Sequence, residues 1–422
     1  MRNLPIHHAK SPPGRLLHAA GVPPPPRRGL APGRLSTAGS ILCWAVLTPL
    51  IGGLAFAQSP TAVWTGLGSD DYWANPDNWL NGHLPTASDD IAFDSANWQD
   101  PTRCTTVTVA ARAEANKLWF YQYGSLPKPF SHIKIVPGGE LLLYEEFVDQ
   151  SNMNPFSGYT QTGGSHTVTT DFSYHSHGGH FEMTAGELTV GGTLSLRPEH
   201  GTVTIHGGVV HTGQLNLRSW ENSYNIESGT TVHVHEQAVI GGELYSRTMN
   251  LGGTFHMHGA DFVNEFGPYE RPWCAQRVDM TELNLIFEGG AGSISTCDVA
   301  GADYGVDLAG FVDNFAVGAV ALTDPISLVR LLGQVEEVLY VDALEIDLES
   351  QLDLNGHTVY VRDAVMLDGI EYYATAGYHE FSPPGYEGLI DSNGGASVIL
   401  IPDPSALALL ALCSVIGCWR RS

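Results

Sequence analysis

Residues 187–217 read ELTVGGTLSLRPEHGTVTIHGGVVHTGQLNL. Apolar side chains occupy every second position in four short runs of this stretch, at residues 187–190, 193–196, 202–205 and 214–217. A period of two is the period of a β-strand, whose successive side chains point to opposite faces. Gly191-Gly192 separates the first two runs and Gly207-Gly208 the last two. Glycine adopts the positive φ angles that sharp corners require. The stretch therefore predicts short strands joined by tight corners.

The same pattern continues on both sides of this stretch. Further alternating runs lie at residues 133–136, 231–234 and 282–285. Glycine pairs recur from Gly138 to Gly290, at spacings that vary from 11 to 37 residues. These features predict an all-β chain wound as a right-handed parallel β-helix, or β-solenoid, whose strands are joined by loops of unequal length. A β-sandwich built of hairpins explains the alternation equally well and is the alternative.

The charge of the chain limits its partners. After Ala57 the chain carries 14 basic residues and 45 acidic residues. Before that point it contains basic residues but no acidic ones. This balance argues against binding of nucleic acid, because phosphate backbones require clustered Lys and Arg. A calcium-rich or cationic exterior suits the charge better, and Ca²⁺ held by acidic loops is one cofactor that the sequence allows.

The N-terminal region has the features of a secretory signal. Residues 41–57 are apolar, follow several arginines and close with Ala55-Phe56-Ala57. A basic region, an apolar core and an A-x-A site are typical of a signal peptide. We therefore interpret residues 1–57 as a basic, proline-rich leader and signal peptide, passed through the secretion machinery and cleaved by signal peptidase after Ala57. A permanent membrane anchor is the alternative, although Pro49 and a glycine pair weaken a spanning helix.

The C-terminal region, residues 401–422, contains three parts. Pro402-Asp403-Pro404 precedes an apolar segment at residues 406–419, and Arg420 and Arg421 follow. This tail resembles the PEP-CTERM sorting signal, with Asp403 in place of the usual Glu. The resemblance implies export, transient anchoring in the inner membrane by a short transmembrane segment, and processing by an exosortase-type protease. The mature protein would then reach the cell surface or the extracellular space. A hydrophobic C-terminal helix packed on the domain is the alternative.

Three regions lie between the two signals. We assign residues 58–136 to a Trp-rich cap with the first strands, 137–310 to the solenoid, and 311–400 to a C-terminal β module. The cap contains Trp64-Thr65-Gly66, Trp73, Asn78-Trp79, Gly82, Pro85, Asp89-Asp90 and Phe93. It resembles the opening segment of many exported β-helical proteins that carry PEP-CTERM tails, which implies that it covers the open end of the solenoid. A carbohydrate-binding platform of exposed Trp rings is the alternative, with an extracellular polysaccharide as partner.

The C-terminal β module shows a different set of local signals. Residues 352–361 contain a strand, an Asn355-Gly356 turn and a second strand, and residues 394–400 form a last strand. Residues 324–333 begin with Asp-Pro and end with Gly, which predicts a helix, with two strands as the alternative.

Three cysteines remain outside the two terminal signals. Cys274 and Cys297 flank a predicted strand, and Cys104 is the third. In an oxidising compartment an odd number allows one bridge and one thiol, so the sequence favours a Cys274–Cys297 disulfide.

The histidines offer the clearest candidate for a binding site. His-x-His pairs occur at His175/His177, His233/His235 and His256/His258. Residues i and i+2 of a strand share a face, so each pair could supply two imidazoles to Zn²⁺ or Cu²⁺. Because 23 residues separate His233 from His256, one solenoid turn would bring His233, His235, His256 and His258 into register. The alternative is that these histidines are ordinary polar residues on a solvated face.

Catalytic motifs are not recognisable in the sequence. The adjacent acids of Asp70-Asp71, Asp89-Asp90 and Glu145-Glu146 would point to opposite faces of a strand, which does not make a paired-carboxylate site. The sequence therefore predicts an exported, non-catalytic protein of the cell surface or extracellular matrix. A carbohydrate- or metal-binding module is the first alternative, and a polysaccharide lyase or hydrolase is the less favoured one.

Overall fold

The computed structural model describes most of the chain between Pro60 and Pro402. It covers residues 60–93, 105–121, 131–150, 157–243, 247–266, 272–323, 326, 328–374, 379–381, 388–391 and 396–402. The predicted signal peptide with Ala55 and Ala57 lies outside these residues, as do Asp403, Pro404, Arg420 and Arg421. Within the described ranges, no helix combines the length and the apolar character that crossing a membrane requires.

The described residues form 27 strands, one short α-helix and three short 3-10 helices at Pro76–Asn78, Leu80–Gly82 and Leu308–Phe311. The first strands are β1 Ala62–Trp64, β2 Asp90–Phe93, β3 Thr105–Val109, β4 Arg112–Tyr121, β5 Ser131–Ile135, β6 Glu140–Gln150, β7 Ser157–Val168, β8 Phe172–Ser176 and β9 His180–Leu196. The middle strands are β10 Thr202–Ile205, β11 Gly208–Trp220, β12 Ser223–Ile226, β13 Thr230–Glu243, β14 Met249–His258, β15 Asp261–Asn264, β16 Val278–Glu288, β17 Ile294–Asp298 and β18 Gly301–Ala302. The last strands are β19 Val317–Leu322, β20 Leu328–Leu332, β21 Glu337–Ile346, β22 Leu352–Asp353, β23 Val359–Leu367, β24 Ile370–Tyr372, β25 His379–Glu380, β26 Ile390–Asp391 and β27 Val398–Leu400. The helix α1, Pro272–Ala275, is a single turn.

The chain forms a parallel β-solenoid of about nine turns, as the sequence predicts, and the β-sandwich alternative is wrong. Each turn places strand segments in three stacks of parallel strands. Strand β9 shows this most clearly, because its three segments pair with three different neighbours. Residues 180–183 pair with β10, residues 187–190 pair with β11, and residues 194–196 pair with β8. We call these the first, second and third stacks.

The core is a set of apolar columns that run along the solenoid. In the second stack, equivalent positions of successive turns are occupied by Val210, Val232, Phe255, Leu285 and Val320, all of them buried. The alternation along each strand therefore has a direct cause. Side chains on one face of each strand join an interior column, and side chains on the other face point outward.

Glycine is required where the chain passes from the first stack to the second. Gly186 and Gly208 occupy the same corner in successive turns, with φ angles of 97° and 98°. A Cβ atom on Gly208 would lie 2.7 Å from the carbonyl oxygen of Gly186, and one on Gly186 would lie 2.5 Å from that of Gly164. Both the backbone angle and the close stacking of the corners therefore exclude a side chain.

The solenoid turns differ in length, which explains the irregular spacing of the glycine pairs. In the first stack, Thr202 lies opposite His180 and Ser223, whereas Met249 lies opposite Tyr224 and Val278. Successive turns thus contain between 21 and 29 residues in this region. The longest additions lie in the connections between strands, and the ladders shift register by one or two residues at corners such as Thr212/Gln214, Asn250/Gly252 and Met280/Asn284.

The parallel stacking extends beyond residues 137–310 at both ends. Strand β1 pairs with β2, and β2 pairs with β4, all in parallel. The stack continues through β19, β21 and β23 to β27. The predicted boundaries at 136/137 and 310/311 therefore fall within one continuous solenoid.

The tryptophan segment packs on the first turns. Trp64, Trp73 and Trp79 are at most 4% exposed, and the ring of Trp79 lies edge-on to each of the other two, with centroids 5.0 Å apart. The indole nitrogen of Trp79 donates a hydrogen bond of 2.7 Å to the carbonyl oxygen of Trp73. Rings in this position have no free face for a sugar, so the packing supports the interpretation as an end cap.

Two details of the C-terminal region differ from the sequence-based expectation. Leu328–Leu332 is strand β20 and not a helix, because it pairs in parallel with β17 and β22 in the third stack. The Asn355-Gly356 turn does not close a hairpin. Strands β22 and β23 on either side of it belong to different stacks, so the turn forms a solenoid corner.

The cysteines occupy core positions. Cys274 and Cys297 are both buried, and no disulfide joins these two described residues. Cys297 faces the interior of β17, in register with Phe262 of the preceding turn and Leu331 of the next. The described residues do not form the predicted bridge, and Cys297 instead serves as a small apolar member of an interior column. Burial raises the pKa of the Cys297 thiol well above its ordinary value.

We expect replacement of Trp79 by Ala to lower the free energy of unfolding by about 3 to 5 kcal/mol, because it removes a buried aromatic ring. Urea unfolding followed by circular dichroism measures the change. Leu67→Ala is the control, since Leu67 is 73% exposed and its loss should cost less than about 0.5 kcal/mol. Unchanged stability of the Trp79→Ala protein, together with lost glycan binding, would identify a recognition platform and contradict the cap.

Candidate functional site: the histidine face

Five histidines lie together on the outer side of the second stack. His211, His233 and His256 occupy the same position in three successive turns, and their rings stack with centroids 4.5 and 4.7 Å apart. His235 and His258 form a second column beside the first, with centroids 4.6 Å apart. We call these five residues the histidine face. The predicted register of the two His-x-His pairs is confirmed.

The strands that carry the histidine face also build the core. His233 alternates with Val232 and Val234, which are buried, and His256 lies between Phe255 and Met257, which are buried as well. The apolar neighbours fix which way the strand faces, so the histidines have to point outward. Main-chain pairing between turns then fixes their separation at roughly the 4.8 Å spacing of neighbouring strands.

One carboxylate completes the arrangement. Glu288 lies opposite His258 in the next turn, on strand β16. One of its oxygens, Oε1, lies 3.1 Å from Nδ1 of His256 and 3.1 Å from Nδ1 of His258. Nδ1 of His233 and Nε2 of His258 are 2.9 Å apart. One ligand atom from each of His233, His258 and Glu288 falls within 4.8 Å of the other two.

Two imidazoles of this site, those of His233 and His258, have lowered pKa values that favour the neutral form. Burial, followed by the neighbouring histidines, lowers the pKa of His233 to about 4. Burial also lowers the pKa of His258, although the charge of Glu288 opposes the shift. A neutral imidazole carries a lone pair on one nitrogen, which is the form that binds metals. Two imidazoles and one carboxylate are a donor set that can hold a divalent transition metal.

The other predicted residues lie elsewhere. His175 and His177 stand at the end of the third stack, where His177 is 3.3 Å from Glu199, and they do not join the histidine face. Lys117 forms an ion pair of 2.7 Å with Glu145. Burial opposes ionisation of Asp89, but hydrogen bonds from Thr86 and its neighbours outweigh burial and lower the pKa of Asp89 to about 2. Glu145 and Asp89 therefore form local ion pairs and hydrogen bonds.

A second polar cluster, which the sequence reasoning missed, lies inside the solenoid. Glu146, Tyr159, Gln161 and His166 are all at most 2% exposed and come from all three stacks. The Tyr159 hydroxyl donates to Oε1 of Gln161 at 2.8 Å and lies 2.9 Å from Nδ1 of His166. We call these four residues the buried polar layer.

The hydrogen bonds of the buried polar layer determine where its protons lie. Nε2 of Gln161 donates to two carbonyl oxygens, of Gly164 and Glu187, so the other amide atom must be the oxygen that accepts from Tyr159. The Tyr159 hydroxyl therefore donates its one proton to Gln161. Nδ1 of His166 must then be the donor in its hydrogen bond with the Tyr159 oxygen. Nε2 of His166 then faces a carboxylate oxygen of Glu146 at 3.0 Å, in an orientation outside hydrogen-bond geometry. Two lone pairs at this distance would repel each other, so the contact requires a hydrogen on one of the two atoms.

A signal for His166 was present in the sequence. Gly163-Gly164-Ser165-His166 has the form of the Gly-Gly-x-Leu unit, with His in place of Leu. The register confirms this, because His166 lies between Leu141 and Leu188 in an interior column. Glu146 likewise stands where the preceding turn has Leu118 and the following turn has Phe172.

Comparison of the chain with protein-family models, with curated proteins and with solved structures finds no match.

We expect His166→Leu to lower the free energy of unfolding by about 3 to 5 kcal/mol, because it leaves the buried carboxylate of Glu146 without its partner. Urea unfolding measures the loss. The double variant Glu146→Leu with His166→Leu restores the apolar residues of the adjacent turns and should lose less stability than His166→Leu alone. If the double variant loses as much stability as the single variants Glu146→Leu and His166→Leu lose when added together, the two side chains do not interact.

The metal-free protein should lose stability as the pH falls from 6.5 to 4. Between the ordinary histidine pKa of 6.5 and the folded-state pKa of about 4, the unfolded chain binds a proton at His233 that the folded chain does not. Protonation therefore favours the unfolded state in this window. The loss between pH 6.5 and pH 4, measured as the fall in urea midpoint with EDTA present, should be smaller in His233→Gln. An identical fall in both proteins would contradict the prediction.

Proposed function

We propose that the protein is an exported, non-catalytic structural protein of the cell surface or extracellular matrix. The observation that carries the proposal is the position of one continuous β-solenoid between a signal-peptide-like leader and a tail that resembles a PEP-CTERM sorting signal. Export through the secretion machinery, cleavage by signal peptidase and processing by an exosortase-type protease are parts of the proposal. An extracellular polysaccharide is the partner that suits such a location.

The ion pairs of the outer surface support a structural role. Arg112 pairs with Glu140 at 2.9 Å, Arg330 with Asp353 at 2.6 Å, and Arg362 with Asp342 at 2.7 Å. Each pair joins neighbouring solenoid turns. Lyases and hydrolases built on β-helices usually set acids and a cation together in a cleft, whereas these arginines are neutralised one by one along the ladders.

The end of the fold is compatible with processing of the tail. The backbone N–H of Ile401 donates to the carbonyl oxygen of Val361, and the Ile401 side chain is 4% exposed. The solenoid contacts therefore reach the residue that directly precedes Pro402. Cleavage on the C-terminal side of the sorting motif would leave all of these contacts in place.

We expect protein isolated from its native host to begin at Gln58 and to lack the residues that follow the Pro402-Asp403-Pro404 motif. Intact-mass measurement on secreted material gives both ends in one experiment. Changing Asp403 to Ala removes the carboxylate of the motif and should leave the tail uncleaved and the protein with the membrane fraction. Secreted wild-type protein that retains Trp419-Arg420-Arg421 would contradict the sorting proposal.

A further inference from the structure

We propose that the protein binds one divalent transition-metal ion through one ring nitrogen of each of His233 and His258 and a carboxylate oxygen of Glu288. This site goes beyond the structural role proposed above and does not depend on how the protein is exported. Three successive solenoid turns supply the ligands, from strands β13, β14 and β16. The ion would therefore link three turns across the outer side of the second stack.

The distances between the donor atoms suit a small ion. Donors that lie about 2.0 to 2.1 Å from a tetrahedral ion are roughly 3.3 Å apart. Nδ1 of His233 and Nε2 of His258 are already 2.9 Å apart, held by a hydrogen bond. One ligand atom from each of His233, His258 and Glu288 lies within 4.8 Å of the other two. Coordination needs side-chain rotations. The ring that donates this hydrogen bond also has to carry its proton on its other nitrogen, so that both rings offer a lone pair to the ion.

Neighbouring residues hold the ligands in place. His256 contributes its Nδ1–H to Oε1 of Glu288 at 3.1 Å, which makes His256 a positioning residue for the carboxylate. The ring of His211 stacks on His233, and the ring of His235 stacks on His258, with nearly parallel planes in both pairs. The ligands stand on strands whose main chains are paired on both sides, so the site is preorganised.

The chemistry of the donors selects the class of ion. Imidazole nitrogen with one carboxylate suits Zn²⁺, Cu²⁺ and Ni²⁺, whereas Ca²⁺ requires six to eight oxygen ligands. The strong negative charge of the chain after Ala57 raises the local concentration of any cation. Three protein ligands leave at least one coordination position for water or an external group.

Other histidine–carboxylate contacts on the surface differ from this one. His206 lies 2.8 Å from Glu227, and His200 lies 2.8 Å from Glu221. Within the described part of the chain, His233, His258 and Glu288 are the one group of three such residues whose ligand atoms converge within 4.8 Å. His206 follows strand β10 of the first stack, so it provides a control on a different side of the solenoid.

Isothermal titration of the full chain with zinc and copper tests the site. Wild-type protein should bind one ion, and His233→Asn, His258→Asn and Glu288→Gln should each weaken binding at least tenfold. His206→Gln removes a surface histidine with the same kind of carboxylate neighbour and should change the affinity less than twofold. His256→Ala should weaken binding but leave the number of ligating nitrogens unchanged, as expected for a positioning residue.

The electron paramagnetic resonance spectrum of the copper complex reports the ligands directly, and its wild-type result does not depend on whether a variant folds. Two imidazole nitrogens should couple to copper in the wild-type protein, and one should remain in His258→Asn. A wild-type spectrum without imidazole coupling would overturn the proposal. Equal zinc affinity in wild type, His233→Asn and His258→Asn would overturn it as well, and would show that the histidine face is only a polar surface.

Discussion

The main-chain pairing between successive turns is the constraint on which the rest of this structure depends. Parallel strands lie about 4.8 Å apart, and their hydrogen bonds fix which residue of one turn lies beside which residue of the next. Every column of side chains, inside or outside, follows from that register. The apolar column from Val210 to Val320 and the histidine face are two results of the same pairing.

Stacking like residues has opposite consequences on the two sides of the sheet. Inside, apolar columns gain contact with every added turn, and a polar residue needs partners from the same layer. Glu146 and His166 satisfy this need across stacks, with Tyr159 and Gln161 joining them. Outside, stacking brings identical titratable groups close together. His233 remains neutral at physiological pH, because its charged ring would be partly desolvated and would lie beside other imidazoles.

Particular residues show how far the sequence could predict the structure. The two-residue period and the glycine pairs predict the strands and corners, since both depend on local backbone geometry. The 23-residue separation of His233 and His256 predicts their register, because this turn carries no large insertion. Glu288 could not be predicted in the same way. The turn from His258 to Glu288 contains α1 and a loop, so its length does not reveal the register.

The errors near the C-terminus have a related cause. Leu328-Val329-Arg330-Leu331-Leu332 has no clear period, so flanking Asp, Pro and Gly residues suggested a helix. Its strand conformation is imposed by pairing with β17 and β22, which is a tertiary effect. The Asn355-Gly356 turn has the composition of a hairpin loop. The two flanking strands nevertheless pair in parallel with β20 and β21, which places them in different stacks. The interior position of Cys297 likewise depends on register.

The covered ends of the solenoid bear on how such molecules could assemble. At the start, Trp79 forms an antiparallel bridge with Trp64, and Tyr72 forms a bridge with Thr108. At the other end, β24 and β25 pair in antiparallel fashion with β23 and β27. Exposed edges of parallel strands are templates for growth into fibrils. Within the described residues these additions cover part of each end, which opposes end-to-end growth into fibrils and favours association through the sides of the solenoid.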